Sequence, residues 1–168
     1  MIAQDRFRWH KEARLFAGSQ EVPRAPAGDG DNFRVLPASP AYDALTGLTA
    51  AITDEAPFCL SDRPLANDIT CSPGAFLTLT GGASGQPKAE RRSRASWTAS
   101  FRVNAERFAL RSSDAVAVLG KLSHSLSLYA VLAGLPLGLV APVLADPVSY
   151  THLTLPPHYL LYRSGAAD

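Results

Sequence analysis

Apolar positions change their period several times along the chain, and these changes divide it into elements. Between Tyr42 and Thr53 the run YDALTGLTAAIT puts Leu45, Leu48 and Ile52 three and four apart with alanines between them, which predicts an amphipathic helix. Pro57 to Leu60 (PFCL) is a short apolar run of strand type. Phe76 to Leu79 is a better strand candidate, because Pro73-Gly74 precedes it and Gly81-Gly82 follows. Ser96 to Phe108 returns to a helical period, with Trp97, Phe101 and Phe108 near one face and Arg102 and Arg107 off it. Ala115 to Leu119 (AVAVL) predicts a second strand and Ser123 to Ala133 a helix. Leu139 to Ala145 predicts a third strand, weakened by Pro142. From Phe76 onward the order is strand, glycine-rich loop, helix, strand, helix, strand. That alternation predicts an α/β fold with a parallel sheet and crossover helices. The first forty residues, rich in proline, glycine and aspartate, read as irregular.

With 168 residues, 46% of them apolar, the chain can bury one sizeable core and is not disordered throughout. Its formal charge of +1 gives no steer toward nucleic acid or membrane. The charged start MIAQDRFRWHKEARLF has no apolar h-region, so no secretory signal is read there and a cytoplasmic location is the expectation. Cys59 and Cys71 then read as small buried residues rather than a disulfide. Ser125 to Ala145 carries no charge and is about long enough to cross a bilayer. Gly134, Pro136, Gly138 and Pro142 interrupt it, so a helix, a turn and a buried strand explain it better than a membrane span.

Charge does cluster locally. Between Lys88 and Lys121 stand eight basic side chains and three acidic ones, with Trp97 and Phe101 among them. A nucleic-acid patch has this composition, but aromatic residues on the apolar face of a helix are expected in the core. His10 has no second ligand nearby, so no metal site is predicted. Ser123 and His124 are adjacent and no G-x-S-x-G occurs, so nothing points to a hydrolase.

The segment with the most chemistry is TLTGGASGQPKAE, Thr78 to Glu90. Holding phosphate takes backbone N–H groups converging in a concave turn, which glycine permits, together with hydroxyl donors and a cation. Gly81, Gly82 and Gly85 supply the first, Thr80 and Ser84 the second and Lys88 the third. The loop is not a Walker A sequence, because Pro87 precedes the lysine and Ala89 follows it. On composition alone a flexible turn explains it as well.

TGGASGQPKA resembles the Ser/Thr/Gly-rich signature of the AMP-forming adenylating enzymes, the superfamily of acyl-CoA synthetases, peptide-synthetase adenylation domains and luciferases. Thr80, Gly82, Ser84, Gly85, Pro87 and Lys88 match its pattern; Gly81, Ala83 and Ala89 depart from it. GKLSHSLSLYAVLAGLPLG, Gly120 to Gly138, is similar to a later helix-opening segment of that superfamily, with His124 at a position that lines the acyl pocket. The resemblance implies a partial AMP-binding α/β domain over residues 57–147, preceded by an irregular segment with one helix over 1–56. It implies ATP bound through Thr80, Gly81, Gly82, Ser84, Gly85 and Lys88, with Mg²⁺ on the phosphates. A carboxylic acid would be the substrate and CoA, or the phosphopantetheine thiol of an acyl carrier protein, the acceptor. The alternative, from another class, is a small non-enzymatic module that binds nucleotide or nucleic acid.

Three segments that the superfamily places downstream have no counterpart in this sequence: the Y-G-x-T-E type segment, the T-G-D segment and the C-terminal lysine. The expectation is therefore a truncated, inactive ligase. Val148 to Pro156 (VSYTHLTLP) is identical to one translated frame of a transposon-based sequencing adaptor, which would set residues 148–168 outside the fold. The competing reading is a genuine strand with alternating threonines.

Overall fold

The computed structural model describes residues 6–28, 30–66, 69–80 and 87–144, and the backbone of 160–163. Strands β1 (Arg14–Ala17), β2 (Gln20–Val22) and β3 (Arg34–Leu36) precede helix α1 (Ala41–Thr53). Then come β4 (Phe58–Leu60), β5 (Ala75–Thr80), β6 (Lys88–Ser93) and helix α2 (Arg94–Arg107). Strand β7 (Val116–Leu119), helix α3 (Ser125–Leu137), β8 (Val140–Leu144) and β9 (Leu160–Arg163) complete the order.

The strands form two sheets, ordered β2-β1-β8-β7-β9 and β3-β4-β5-β6. In the first, β1, β8, β7 and β9 run parallel and β2 closes an edge antiparallel to β1. In the second, β3, β4 and β5 run parallel and β6 closes an edge antiparallel to β5. The class is the α/β expected, with parallel portions and connecting helices. Central strands read FCL and VAVL because both of their faces are covered.

Helices α1 and α3 each touch strands of both sheets. The α1 positions read as an apolar face, Leu45, Leu48 and Ile52, are buried together with Ala44 and Ala51. Phe76 stacks on Phe58 at 5.2 Å and meets the edge of Trp97 at 4.8 Å; Trp97 and Phe101 in turn pack on Tyr129 of α3. The aromatics of the basic stretch thus belong to the core, as their helical face predicts. Phe108 does not. It lies beyond the last turn of α2 and is 49% exposed.

Three expectations are corrected. The first forty residues hold three strands, short and half polar, which pairing with β8 and β4 makes regular. The glycine-rich segment does not lead straight into a helix: Lys88–Ser93 intervenes as β6, in full antiparallel register from Thr80↔Lys88 to Ala75↔Ser93. Its sequence KAERRS favours helix by propensity, but the edge of β5 offers a ladder partner that overrides this. Arg94, one of the eight basic side chains between Lys88 and Lys121 and so expected in solvent, is 2% exposed, and its Nη2 donates to the carbonyls of Glu55 (3.0 Å) and Ala56 (2.7 Å).

The uncharged stretch from Ser125 divides into α3, a left-handed Gly138 (φ 75°) and β8. Among the described residues no helix is long and apolar enough to cross a membrane. Val148 to Pro156 lies outside the described residues. Leu160–Arg163 pairs parallel to β7 in the register Val116↔Leu160.

Candidate functional site

In open α/β sheets ligands sit beyond the carboxyl ends of the parallel strands, where the chain leaves the sheet and turns. Here the segments leaving β3, β4, β5 and β7 are joined to one another. Ser39, after β3, donates its hydroxyl to Asp62 Oδ1 at 2.8 Å. Lys121, after β7, donates from Nζ to Asp62 Oδ2 at 3.0 Å. Leu79, near the end of β5, forms a parallel bridge with His124 at the start of α3.

Asp62 is the centre of this junction. Burial opposes its ionisation, but the Ser39 hydroxyl, the Lys121 ammonium and the Ala38 N–H together hold its carboxyl below the ordinary aspartate value. Ser61 turns the chain beside it. Its hydroxyl donates to Arg63 O at 2.6 Å and accepts the Arg63 N–H at 3.1 Å, closing a tight turn directly after β4. Asp62 belongs to no recognisable motif, and its tertiary contact with Lys121 alone reveals it.

Of the loop residues predicted to hold phosphate, Gly81, Gly82, Ser84 and Gly85 lie outside the described residues. Thr80 and Lys88 form the neck of the loop as a cross-strand pair, and Thr80 Oγ1 donates to Lys88 O at 3.3 Å. The Lys88 side chain is exposed and enters no ion pair or hydrogen bond among the described residues, so its charge is open to a ligand. A cleft of about 380 Å³ adjoins the neck, lined among others by Ser61, Arg63, Leu65, Leu79, Pro87 and Ala89. It has the size of a small-molecule site and an apolar wall with a guanidinium at its edge.

His124 stands as the residue before α3, exposed, with no side-chain cap bond. Its carbonyl accepts the first helical bond, from the Leu128 N–H at 3.0 Å. One turn in, the Ser127 hydroxyl is buried without a hydrogen-bond partner. The fold therefore brings the neck of the glycine-rich segment and the opening of α3 together, although they are far apart in sequence. Among the described residues no group of three His, Cys, Asp or Glu side chains could hold a metal ion. Cys59 is buried, Cys71 half-buried, and both are free.

No protein-family model matches the chain. A long chain fatty acid-CoA ligase of Staphylococcus aureus, VraA, is 51% identical over 62 residues, which is 37% of this chain and 13% of the relative; three further strains of that species give the same match. The similarity thus spans 13% of the curated relatives' length. Among solved structures, o-succinylbenzoate CoA synthetase from Bacillus subtilis superposes with a TM-score of 0.56 at 13% identity, covering 82% of this chain and 42% of that one. The nonribosomal peptide synthetase FmoA3, in a form bound to AMPPNP, gives 0.54 at 12% identity, covering 78% of this chain and 21% of that one. At such identities the structures speak for the fold alone, an α/β fold shared with part of each synthetase. The resemblance read from the glycine-rich loop is thereby borne out, in sequence by the ligase match and in fold by the synthetases.

Proposed function

We propose that residues 57–147 are the phosphate-holding part of an AMP-forming acid–thiol ligase. The observation that carries this reading is the Leu79–His124 bridge, which sets the neck of the glycine-rich loop against the opening of α3. The ligase similarity points the same way.

On this reading Thr80, Ser84 and the amides of Gly81, Gly82 and Gly85 hold the terminal phosphates of ATP, and Lys88 offsets their charge. The oxygen of a carboxylic acid attacks the α-phosphorus. The bond to the β-phosphate oxygen breaks, and acyl-adenylate and pyrophosphate result. A thiol, from CoA or the phosphopantetheine of a carrier protein, then takes the acyl group and AMP leaves. His124 stands at the wall of the acyl site. Mg²⁺ bound with the nucleotide would supply charge neutralisation at the phosphates, beside Lys88. Such a ligase works in the cytoplasm, where ATP and thiol acceptors are supplied.

The sequence of this chain has no Y-G-x-T-E or T-G-D segment for the adenine and ribose. We therefore infer that the chain alone holds nucleotide weakly and completes no turnover. Titration of the chain with MgATP tests the first part: Lys88→Ala should raise Kd about tenfold, since a charge-assisted contact is lost. An unchanged Kd removes the loop from the reading. ATP–pyrophosphate exchange tests the second: none is expected, and exchange abolished by Lys88→Ala would overturn the inference of inactivity.

A further inference from the structure

Cys59 and Cys71 have no part in the ligase chemistry, yet the fold brings them to one place. Cys59 of β4 pairs with Leu77 of β5, and Leu77 with Arg91 of β6, so these three side chains share one face of the second sheet. Phe58 and Phe76 occupy the opposite face, toward the aromatic cluster. The described residues between β4 and β5, 61–66 and 69–74, cover the Cys59 face. Leu65 and Ile69 line the same cleft as Leu79 and Ala89, the next pair on that face. Ser72 Oγ accepts from Arg91 Nη1 at 3.1 Å. A turn through Pro73 and Gly74 (φ 78°), closed by the Ala75 N–H on Ser72 O at 3.2 Å, lets the chain double back from this cover into β5. Under the cover Cys59 is 0% exposed. Cys71 is the cover's one cysteine, stands next to Ser72 and is half-buried. Its charge, when ionised, reaches the Cys59 thiol.

We propose that Cys59 and Cys71 form a reversible disulfide that ties this cover to β4, a redox-controlled staple on the wall of the cleft beside the glycine-rich segment. The two thiols divide the work. Cys71 is open to an oxidant from solvent, and the nearby guanidinium groups of Arg91 and Arg94 favour its thiolate. Cys59 is closed to solvent and is reached from Cys71. Each thiol donates weakly to the carbonyl of the next residue, Leu60 O or Ser72 O, at 3.9 Å, so turning one sulfur toward the other breaks no strong bond. With a hydroperoxide as oxidant, the Cys71 thiolate attacks one peroxide oxygen. The O–O bond breaks, Cys71 becomes a sulfenic acid, and the leaving hydroxide or alkoxide takes a proton. The Cys59 sulfur then loses its proton and attacks the Cys71 sulfur. The S–O bond breaks and water leaves. Two thiols have given up two electrons, and the peroxide has been reduced. A dithiol returns the electrons and restores both thiols. Ser61, Arg63, Leu65 and Ile69 belong to the cover and line the cleft, so the staple fixes that wall. The inference does not rest on the ligase reading.

The test uses the full 168-residue chain, which has two cysteines in all. The chain is treated with hydrogen peroxide, remaining thiols are blocked with a maleimide in denaturant, and the product is weighed. A monomer lighter by two hydrogens and free of maleimide is expected. Cleavage before Asp62 and Asp68 separates the two cysteines in sequence, so their peptides should stay joined until a dithiol is added. The thermal midpoint should rise on oxidation and return on reduction, because the closed loop restricts the unfolded chain. Cys59→Ala should show no such rise, and its Cys71 should gain oxygen instead. The proposal is overturned if Cys71 is oxidised while Cys59 still takes maleimide in denaturant, if the cross-link joins two chains, or if the oxidised chain melts below the reduced one.

Discussion

Lys121 Nζ and Asp62 Oδ2 lie 3.0 Å apart although 59 residues separate them in the chain. With Ser39 on the other carboxylate oxygen, they hold together the segments that leave three strands of two different sheets. Asp62→Ala removes these contacts at once and leaves three donors, the Ser39 hydroxyl, the Lys121 ammonium and the Ala38 N–H, to be resolvated. Because the pair is partly exposed, the expected cost is about 1–2 kcal/mol rather than the larger figure of a buried pair. Urea denaturation should show the midpoint falling with the slope unchanged, and Asp62→Asn should recover part of the loss through the Ser39 bond.

Acid should weaken the fold by a route that two aspartates define. Asp54, its side chain 4% exposed, accepts the Gly28 N–H and an Arg34 N–H, each at 2.6 Å, and these partners hold its carboxyl below the ordinary value of 3.8. Asp62 is likewise depressed. As pH falls, the unfolded chain takes up these protons first. The stability the two groups contribute is complete above about pH 5 and is lost as pH drops past the ordinary aspartate value and through the lower native one. Denaturant midpoints measured from pH 6 downward should fall along that course, and Asp54→Asn should flatten it. A midpoint independent of pH down to 3 would contradict the two assignments.

The aromatic cluster should respond most to Phe76. Its ring is fully buried, stacked on Phe58, and meets Phe7 at 5.5 Å and Trp97 at 4.8 Å. Phe76→Ala leaves a cavity where two sheet-facing helices and β5 meet, at a cost of about 3–5 kcal/mol. Phe108→Ala, at an exposed position beyond α2, should change the same midpoint by no more than about 0.5 kcal/mol. The contrast checks the correction to the helical face.

Much of this architecture was legible in the pattern of residues. The α1 stripe, the apolar runs of β5, β7 and β8 and the breakers after α3 carry signals strong enough to read, since burial on a face demands them. The strands near the amino terminus did not read as strands because RLFA, QEV and RVL are too short and too polar to show a period. Their regularity comes from partners. Strand β6 hid for the opposite reason: Lys88, Ala89, Glu90 and the arginines suit a helix, and only the ladder with β5 decides otherwise. At the site, the loop showed itself by its glycines and lysine. Asp62 stayed hidden because a lone aspartate after a strand has no sequence mark until Lys121 is folded onto it.

The two thiols give a simple readout of local opening. Burial pushes the Cys59 thiol up to about 11, and it sits in the middle of β4. Cys71 is half-buried in a loop; burial raises its value too, with Arg91 and Arg94 working against the rise. A maleimide at neutral pH should therefore modify Cys71 first and Cys59 only after denaturant is added. Equal labelling of both in the native chain would mean that β4 opens far more readily than a central strand should.

Strand β1, from the start of the chain, lies between β2 and β8 in the first sheet, with Leu15 opposite Ala141. During synthesis its neighbour does not yet exist, so the nascent hairpin of β1 and β2 must wait, one edge bare, until almost the last described residues leave the ribosome. High contact order of this kind slows folding and prolongs the time in which a bare edge can find a foreign strand. Expression at lower temperature or with a chaperone holding that edge should raise the soluble yield, and moving Arg14–Val22 to follow Leu144 by circular permutation should shorten the wait.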